Sequence, residues 1–159
     1  MDLQAIDIAK VDGAPELWQE IVDASDDGLV WHTWLSHEFN LCAGEKYAAQ
    51  DLSFFVYDGK RAVGVAPLIV EEREGNLQAA YYSGFLPWPC FRRDSLHREE
   101  MEDFACKELE RRARNVGAHR ILIRLTPPQN IGNEEARVKR IADKYAFTPT
   151  HFDSHVVSI

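Results

Sequence analysis

From Asp51 to Ser83 the hydrophobic pattern has a period of two, and no other stretch constrains the fold as much. Leu52 to Tyr57 is rich in aromatic and β-branched residues and reads as a strand. Asp58-Gly59 follows, a two-residue turn signal whose central positions need φ > 0. Arg61 to Glu71 returns as the partner strand, with Pro67 inside it. A proline cannot donate to a ladder, so it marks an edge, a bulge or a strand that switches sheets. Glu74-Gly75-Asn76 turns the chain again into Leu77–Ser83, the third strand of a meander.

The meander hands over to Tyr81-Tyr82-Ser83-Gly84-Phe85-Leu86-Pro87-Trp88-Pro89-Cys90-Phe91-Arg92-Arg93 and then to a helix from about His97 to Asn115. Met101, Phe104, Ala105, Leu109, Ala113 and Val116 give that helix its 3.6-residue period. Acidic residues (Glu99, Glu100, Glu102, Asp103) fill its start and Arg111, Arg112 and Arg114 its end, with Gly117 placed to stop it. Arg120 to Leu125 reads as a buried strand closed by Pro127-Pro128. Asn133 caps a fourth helix carrying Val138, Ile141, Ala142 and Tyr145, and Thr148 to Ile159 forms a last strand.

Ahead of the meander, residues 3–9 make a first strand. Pro15 suits the first turn of a helix whose stripe is Leu17, Trp18, Ile21 and Val22, ended by Asp26-Asp27-Gly28. The link Leu29-Val30-Trp31-His32 leads to Thr33, an N-cap for a second helix. The apolar face of that helix is Leu35, Phe39, Cys42, Ala43 and Tyr47, which predicts that these residues face the core. The order β, α, α, β, β, β, α, β, α, β implies an α/β protein, a single domain over 1–159. Its central mixed sheet has about six strands and is flanked by about four helices.

A chain of 159 residues can bury a core that stands without disulfides or metals. Its net charge of −8 argues against direct DNA binding and against an anionic membrane surface. Three widely spaced cysteines with no CxxC pair read as reduced thiols, and with no secretory signal this predicts a cytoplasmic protein. No apolar run approaches the roughly 18 residues of a membrane span. The histidines show no ligand spacing, so no metal site is expected.

The element order is similar to that of the Gcn5-related N-acetyltransferase (GNAT) fold, and the chain resembles the N-terminal half of FemAB-like proteins, which carry two GNAT domains in tandem. The likeness rests on Trp18…Ile21-Val22 and on Val30-Trp31-His32-Thr33. It rests also on the hairpin Phe54-Phe55-Val56-Tyr57-Asp58-Gly59 with Val63-Gly64-Val65-Ala66-Pro67-Leu68, and on the tyrosine-serine-glycine end of the third strand. GNAT enzymes hold the pyrophosphate of acetyl-CoA with a Gln/Arg-x-x-Gly-x-Gly/Ala loop at the stretch occupied here by Gly84 to Cys90. Consecutive N–H groups at a helix N-terminus make such a loop an anion site. This chain has one glycine there and two prolines that remove donors. The resemblance therefore implies an acyl- or aminoacyl-transferase half that binds the acceptor, with no cofactor of its own. The acyl-CoA or aminoacyl-tRNA donor would sit in a second GNAT-like domain or a second copy, and the acceptor would be a cell-envelope precursor or small molecule.

On that reading the substrate-binding candidates are Trp31, His32, Tyr82, Ser83, Gly84, Trp88, Cys90 and Arg92. For each a plainer role competes: Trp88 as a hydrophobic plug, Cys90 as a small core residue, His32 as packing beside an N-cap, Arg92 and Arg93 as an exposed pair. Two alternatives stand beside the transferase half. One is a non-catalytic module that pairs through an open C-terminal strand; the other is a stand-alone acetyl-CoA-dependent enzyme.

Overall fold

The structure, a computed structural model, describes residues 1–125, 134–150 and 154–158. The chain runs β1 (Leu3–Asp7), α1 (Ala14–Asp23), α2 (Trp34–Ala43), β2 (Gln50–Asp51), β3 (Phe54–Asp58), β4 (Arg61–Ala66), β5 (Ile69–Arg73) and β6 (Asn76–Ala79). It continues with β7 (Leu86–Pro87), β8 (Cys90–Phe91), α3 (Arg98–Asn115), β9 (Arg120–Arg124), α4 (Glu134–Lys144), β10 (Thr148–Thr150) and β11 (Ser154–Ser158). The α/β class and the flanking helices are as the sequence implies, but the strands form two sheets. One is ordered β1-β3-β4-β8; the other is β10-β11-β9-β6-β5-β2, with β7 also on β9. Pairing is antiparallel except where β6 and β7 run parallel to β9.

The division has a local cause: each of the first two meander strands breaks and changes sheets. The segment read as Leu52–Tyr57 becomes β3, paired with β1 and β4, and directly before it Gln50–Asp51 forms β2 on the other sheet, paired with β5. The segment Arg61–Glu71 becomes β4 and β5, and Pro67 sits at the break, where its missing donor costs no ladder bond. Ser53 closes the crossing. Its buried hydroxyl accepts from the Leu68 N–H at 2.8 Å, while the Leu52 N–H donates to the Leu68 carbonyl at 2.8 Å. A third crossing follows β6, because β7 joins the second sheet and β8 joins the first through Gly64↔Phe91 and Val65↔Cys90. Trp88-Pro89 carries the chain from one to the other, so the Tyr81–Arg93 stretch stitches the sheets together.

Alternation along β3 feeds both faces of the first sheet. Phe54 and Val56 join the core under α3 with Leu68, Ile69, Leu86, Phe91, Met101 and Leu109, while Phe55 joins Trp18, Ile21, Val65 and Cys90 under α1. The α3 helix keeps its sequence signals, with Glu99 and Glu100 in the first turn, Arg112 and Arg114 in the last, and Gly117 at φ +83° just past the end.

Two expectations fail. The predicted apolar face of α2 points outward: Leu35, Phe39 and Cys42 are exposed, and His37 and Asn40 are buried in their place. The last strand is a hairpin, and Ser154–Ser158 is bonded on both sides, to β9 and to β10. The open C-terminal edge inferred for pairing is thus an interior strand, and the edge at that end belongs to Thr148–Thr150. Pro127, Pro128, Asn133, His151 and Ile159 lie outside the described residues.

Candidate functional site

Beyond β6 the Ala80 N–H still bonds the Ile69 carbonyl, and then a tight turn closes with the Gly84 N–H on the Tyr81 carbonyl at 2.7 Å. Gly84 takes φ +113°, a conformation in which an L side chain is strained. The turn and the return strand β7 wall a pocket of about 140 Å³ lined by Trp31, Tyr81, Ser83, Phe85, Pro87 and Arg124. A cavity of roughly 150 Å³ takes one benzene ring, so a planar or short aliphatic group fits here. Arg124 enters from the end of β9 opposite Pro87, and its guanidinium lies 5.4 Å from the Phe85 ring centroid. The pocket is apolar with one cationic side.

A buried clamp positions its Trp31 wall. Residues 30–32 form a 3-10 turn, and the His32 ring uses both nitrogens. Nδ1 accepts from the Leu29 N–H at 3.1 Å, so Nε2 carries the proton and donates to the Trp88 carbonyl at 3.0 Å. The Trp18 indole N–H donates to the His32 carbonyl at 2.5 Å. Burial pushes the His32 pKa down to about 4, so the ring is neutral. His32 thereby ties the α1–α2 link to the stretch after β6.

Behind the pocket, Tyr81 is buried and its hydroxyl meets His37 Nδ1 at 3.3 Å; His37 Nε2 meets Asp51 Oδ2 at 2.9 Å, and the ring stacks on Trp18 at 4.6 Å. Burial raises the Tyr81 pKa well above its usual value; burial also pushes the Asp51 carboxyl up, but the bonds from His37 and Ser53 outweigh it and hold that carboxyl below its usual value. Asp51 also borders a second groove of about 470 Å³ with Trp34, Leu52 and Arg112. The Tyr81–His37–Asp51 chain therefore runs between two concavities. Asn40, the other inward polar residue of α2, accepts from the Ser83 N–H at 3.1 Å and so holds the turn from below.

The structure distributes the sequence candidates unevenly. Trp31 and Ser83 line the pocket, and Gly84 shapes the turn beside it. His32 is the buried clamp, not a surface group. Tyr82 leaves the pocket for a separate cluster: it stacks on Tyr47 with centroids 6.1 Å apart, and its carbonyl accepts from Arg73 at 3.1 Å. Trp88 is buried against Tyr145 and Phe147, so it is a plug and not a stacking platform. Cys90 is fully buried, and burial raises its pKa to about 11, which removes it as a nucleophile. Arg92 donates to the Glu20 carboxylate at 2.8 Å and to the Ala62 carbonyl at 2.9 Å, which fastens β4 to α1.

Phe85, Pro87 and Arg124 are pocket residues that sequence reasoning misses, and Tyr81 serves both core and pocket wall. The alternation Arg120-Ile121-Leu122-Ile123-Arg124 is the available signal for Arg124, since its neighbour Ile123 is buried. Between β7 and α3 several of the backbone donors are engaged. β8 bonds β4, the Arg92 N–H bonds the Val63 carbonyl, the Arg93 N–H bonds the Ala24 carbonyl, and the Ser95 N–H bonds the Arg92 carbonyl. Among the described residues no group of His, Cys, Asp and Glu is arranged to hold a metal ion, and no helix is long and apolar enough to cross a membrane.

Neither a family model nor a curated protein matches the chain. Solved structures do. A GNAT family acetyltransferase from Brucella melitensis in complex with acetyl-CoA superposes with TM-score 0.59 at 8% identity, covering 99% of this chain and 88% of that one. An acetyltransferase from Thermus thermophilus gives 0.57 at 16% identity, covering 100% and 98%. A tandem GNAT protein from the clavulanic acid biosynthesis pathway gives 0.57 at 9% identity; it covers 94% of this chain but 44% of its own length, about one half of a two-domain protein. Two divided sheets, a parallel β6/β9 pair and a pocket at the end of β6 thus belong to a chain with the fold of the GNAT acetyltransferases.

Proposed function

We propose that this chain is the acceptor-binding half of a GNAT-fold acyl- or aminoacyl-transferase. The observation that carries this reading is the state of the β6–α3 stretch. A pyrophosphate needs several convergent unpaired N–H groups. Here Pro87 and Pro89 have none, β7 and β8 pair into sheets, and Arg92, Arg93 and Ser95 donate to carbonyls. The first turn of α3 also carries Glu99 and Glu100, which repel an anion. The donor, acyl-CoA or aminoacyl-tRNA, then belongs to a second GNAT-like domain or a second copy. The pocket beside Trp31 takes part of the acceptor, an amine of a cell-envelope precursor or small molecule. Its apolar walls hold a group no larger than one ring, and Arg124 on its rim pairs a carboxylate or phosphate of the same molecule. The acceptor nitrogen attacks the acyl carbonyl presented from outside this chain, and an amide forms as the donor's thiol or ribose hydroxyl leaves.

Titration calorimetry of the purified chain with coenzyme A and acetyl-CoA tests the assignment. No binding at millimolar ligand is expected, and steady turnover of acetyl-CoA with any amine would overturn it. The second reading, a stand-alone acetyl-CoA-dependent enzyme, draws support from neighbours solved with acetyl-CoA and with coenzyme A. The same titration separates the two.

A further inference from the structure

We propose that the pocket beside Trp31 binds a free α-amino acid with an apolar side chain, its carboxylate on Arg124 and its amine turned outward; this rests on the acceptor-binding reading and narrows it to one class of acceptor. Trp31, Tyr81, Phe85 and Pro87 wall a space of about 140 Å³, enough for an isobutyl group or one phenyl ring and too small for a second ring. Of the described lining residues only Arg124 is charged. Its guanidinium lies over the Phe85 ring, and among the described residues it makes no hydrogen bond or ion pair. Arg73, Arg92, Arg98, Arg112 and Arg120 by contrast each donate to a side-chain oxygen. A guanidinium held against an apolar wall with no such partner is placed to receive one from a ligand.

The partner is a carboxylate. A phosphate dianion calls for more donors than one guanidinium, and the neighbouring turn has none to lend. The Ser83 N–H is bonded to Asn40 and the Gly84 N–H to the Tyr81 carbonyl. The planar fork of an arginine instead matches a carboxylate through two parallel bonds. Because Arg124 sits over a wall of the pocket, the carboxylate it holds lies beside whatever the walls enclose. None of the described lining residues is acidic, so an ammonium gains no partner inside and stays on the solvent side. The smallest acceptor with an apolar group, a carboxylate and an amine so arranged carries all three on one carbon. A peptide does not meet this condition, because its C-terminal residue has no free amine and its N-terminal residue no free carboxylate. Pairing the carboxylate with Arg124 also offsets the negative charge that favours the ammonium. The amine then gives up its proton more readily and becomes the nucleophile that amide formation needs.

Saturation-transfer NMR and tryptophan fluorescence on the purified chain, with no acyl donor present, read the binding directly. L-leucine and L-phenylalanine are expected to bind with a Kd of about 1 mM or below. Isoamylamine and phenethylamine, the same molecules without the carboxylate, should bind about tenfold more weakly or worse. L-glutamate should not compete, since its side chain finds no partner among apolar walls. Arg124→Met should weaken both amino acids by about tenfold or more and leave phenethylamine unchanged, a split that a purely structural arginine would not produce. Ser83→Leu, at an exposed position of the same lining, should block amino acid and amine alike, which locates the site even where Arg124→Met fails to fold. No binding of either amino acid up to its solubility limit overturns the proposal. So does equal affinity for the amines, tighter binding of phenyl phosphate than of phenylalanine, or amino-acid binding untouched by both substitutions. With no donor in the sample, each of these results leaves the acceptor-half reading standing; that reading falls instead on binding of coenzyme A.

Discussion

Acidification should weaken this fold first at His32. The buried ring has a pKa of about 4 in the folded chain against 6.5 when free. The neutral form is thus the native one, and the unfolded chain binds the extra proton. The contribution is complete above pH 6.5, falls away as pH drops from there toward 4, and is absent below. The full shift corresponds to about 3.4 kcal/mol, and at pH 5 about 2 kcal/mol has been lost relative to pH 7.5. For a domain of this length that lowers the midpoint of thermal unfolding by about 4–8 °C. The measurement is urea unfolding at pH 7.5 and pH 5.0 on wild type and His32→Gln. The glutamine amide can still donate to the Trp88 carbonyl but cannot titrate, and it leaves the Leu29 N–H unpaired. We expect the variant to start about 1–3 kcal/mol less stable at pH 7.5. Its further loss on going to pH 5.0 should be smaller than that of wild type by about 2 kcal/mol. Equal losses in the two proteins would refute the neutral clamp, because every other titrating group is common to both.

Three further outcomes follow from single contacts. Arg73 donates twice to the fully buried Glu71 carboxylate at 2.7 and 2.8 Å, so Arg73→Met should cost about 3–5 kcal/mol in chemical unfolding. Adding Glu71→Leu should recover most of that loss, since the stranded charge is then gone. A Cβ on Gly64 would lie 2.3 Å from Phe91 Cδ1 and 3.0 Å from the Cys90 carbonyl, so Gly64→Ala should destabilise by about 1–3 kcal/mol through forced separation of β4 and β8. Of the three thiols, exposed Cys42 should react with a disulfide reagent in the native protein, while buried Cys90, at a pKa of about 11, and Cys106, pushed higher still by burial, should react only on unfolding.

What the sequence disclosed follows how local each cause is. The β3–β4 hairpin, the stripe of α1 and the caps of α3 are written within a few residues and appear close to where the pattern places them, except that the turn is Gly59-Lys60 and Asp58 pairs with Arg61 in the ladder. The sheet crossings are not local. Pro67 signals one, but Leu52-Ser53 carries no signal, because the Ser53 hydroxyl acts only once Leu68 has been brought to it. β7 and β8 hold two residues each, too few for any period to register, and their partners Ile123, Arg124, Gly64 and Val65 lie far along the chain. The pocket inherits that limit: Trp31 and Ser83 are legible from position, whereas Arg124 joins them only through its pairing with Pro87.

Helix α2 marks the difference between seeing a stripe and knowing which way it faces. Leu35, Phe39 and Cys42 do share a side, as their spacing requires, but hydrophobic area alone does not decide which side turns inward. A buried imidazole costs little when both nitrogens are bonded and its ring is stacked, and His37 has Asp51, Tyr81 and Trp18. Asn40 likewise bonds Ser36 and the Ser83 N–H. Those partners hold the turn after β6 and the strand β2, so rotating α2 to bury Leu35 and Phe39 would strand Asp51 and the Ser83 N–H together. The polar face goes inward because it is what fastens α2 to the pocket. The apolar residues Leu35, Phe39 and Cys42 are exposed as the consequence, so the orientation of α2 is set by its polar contacts and not by its hydrophobic area.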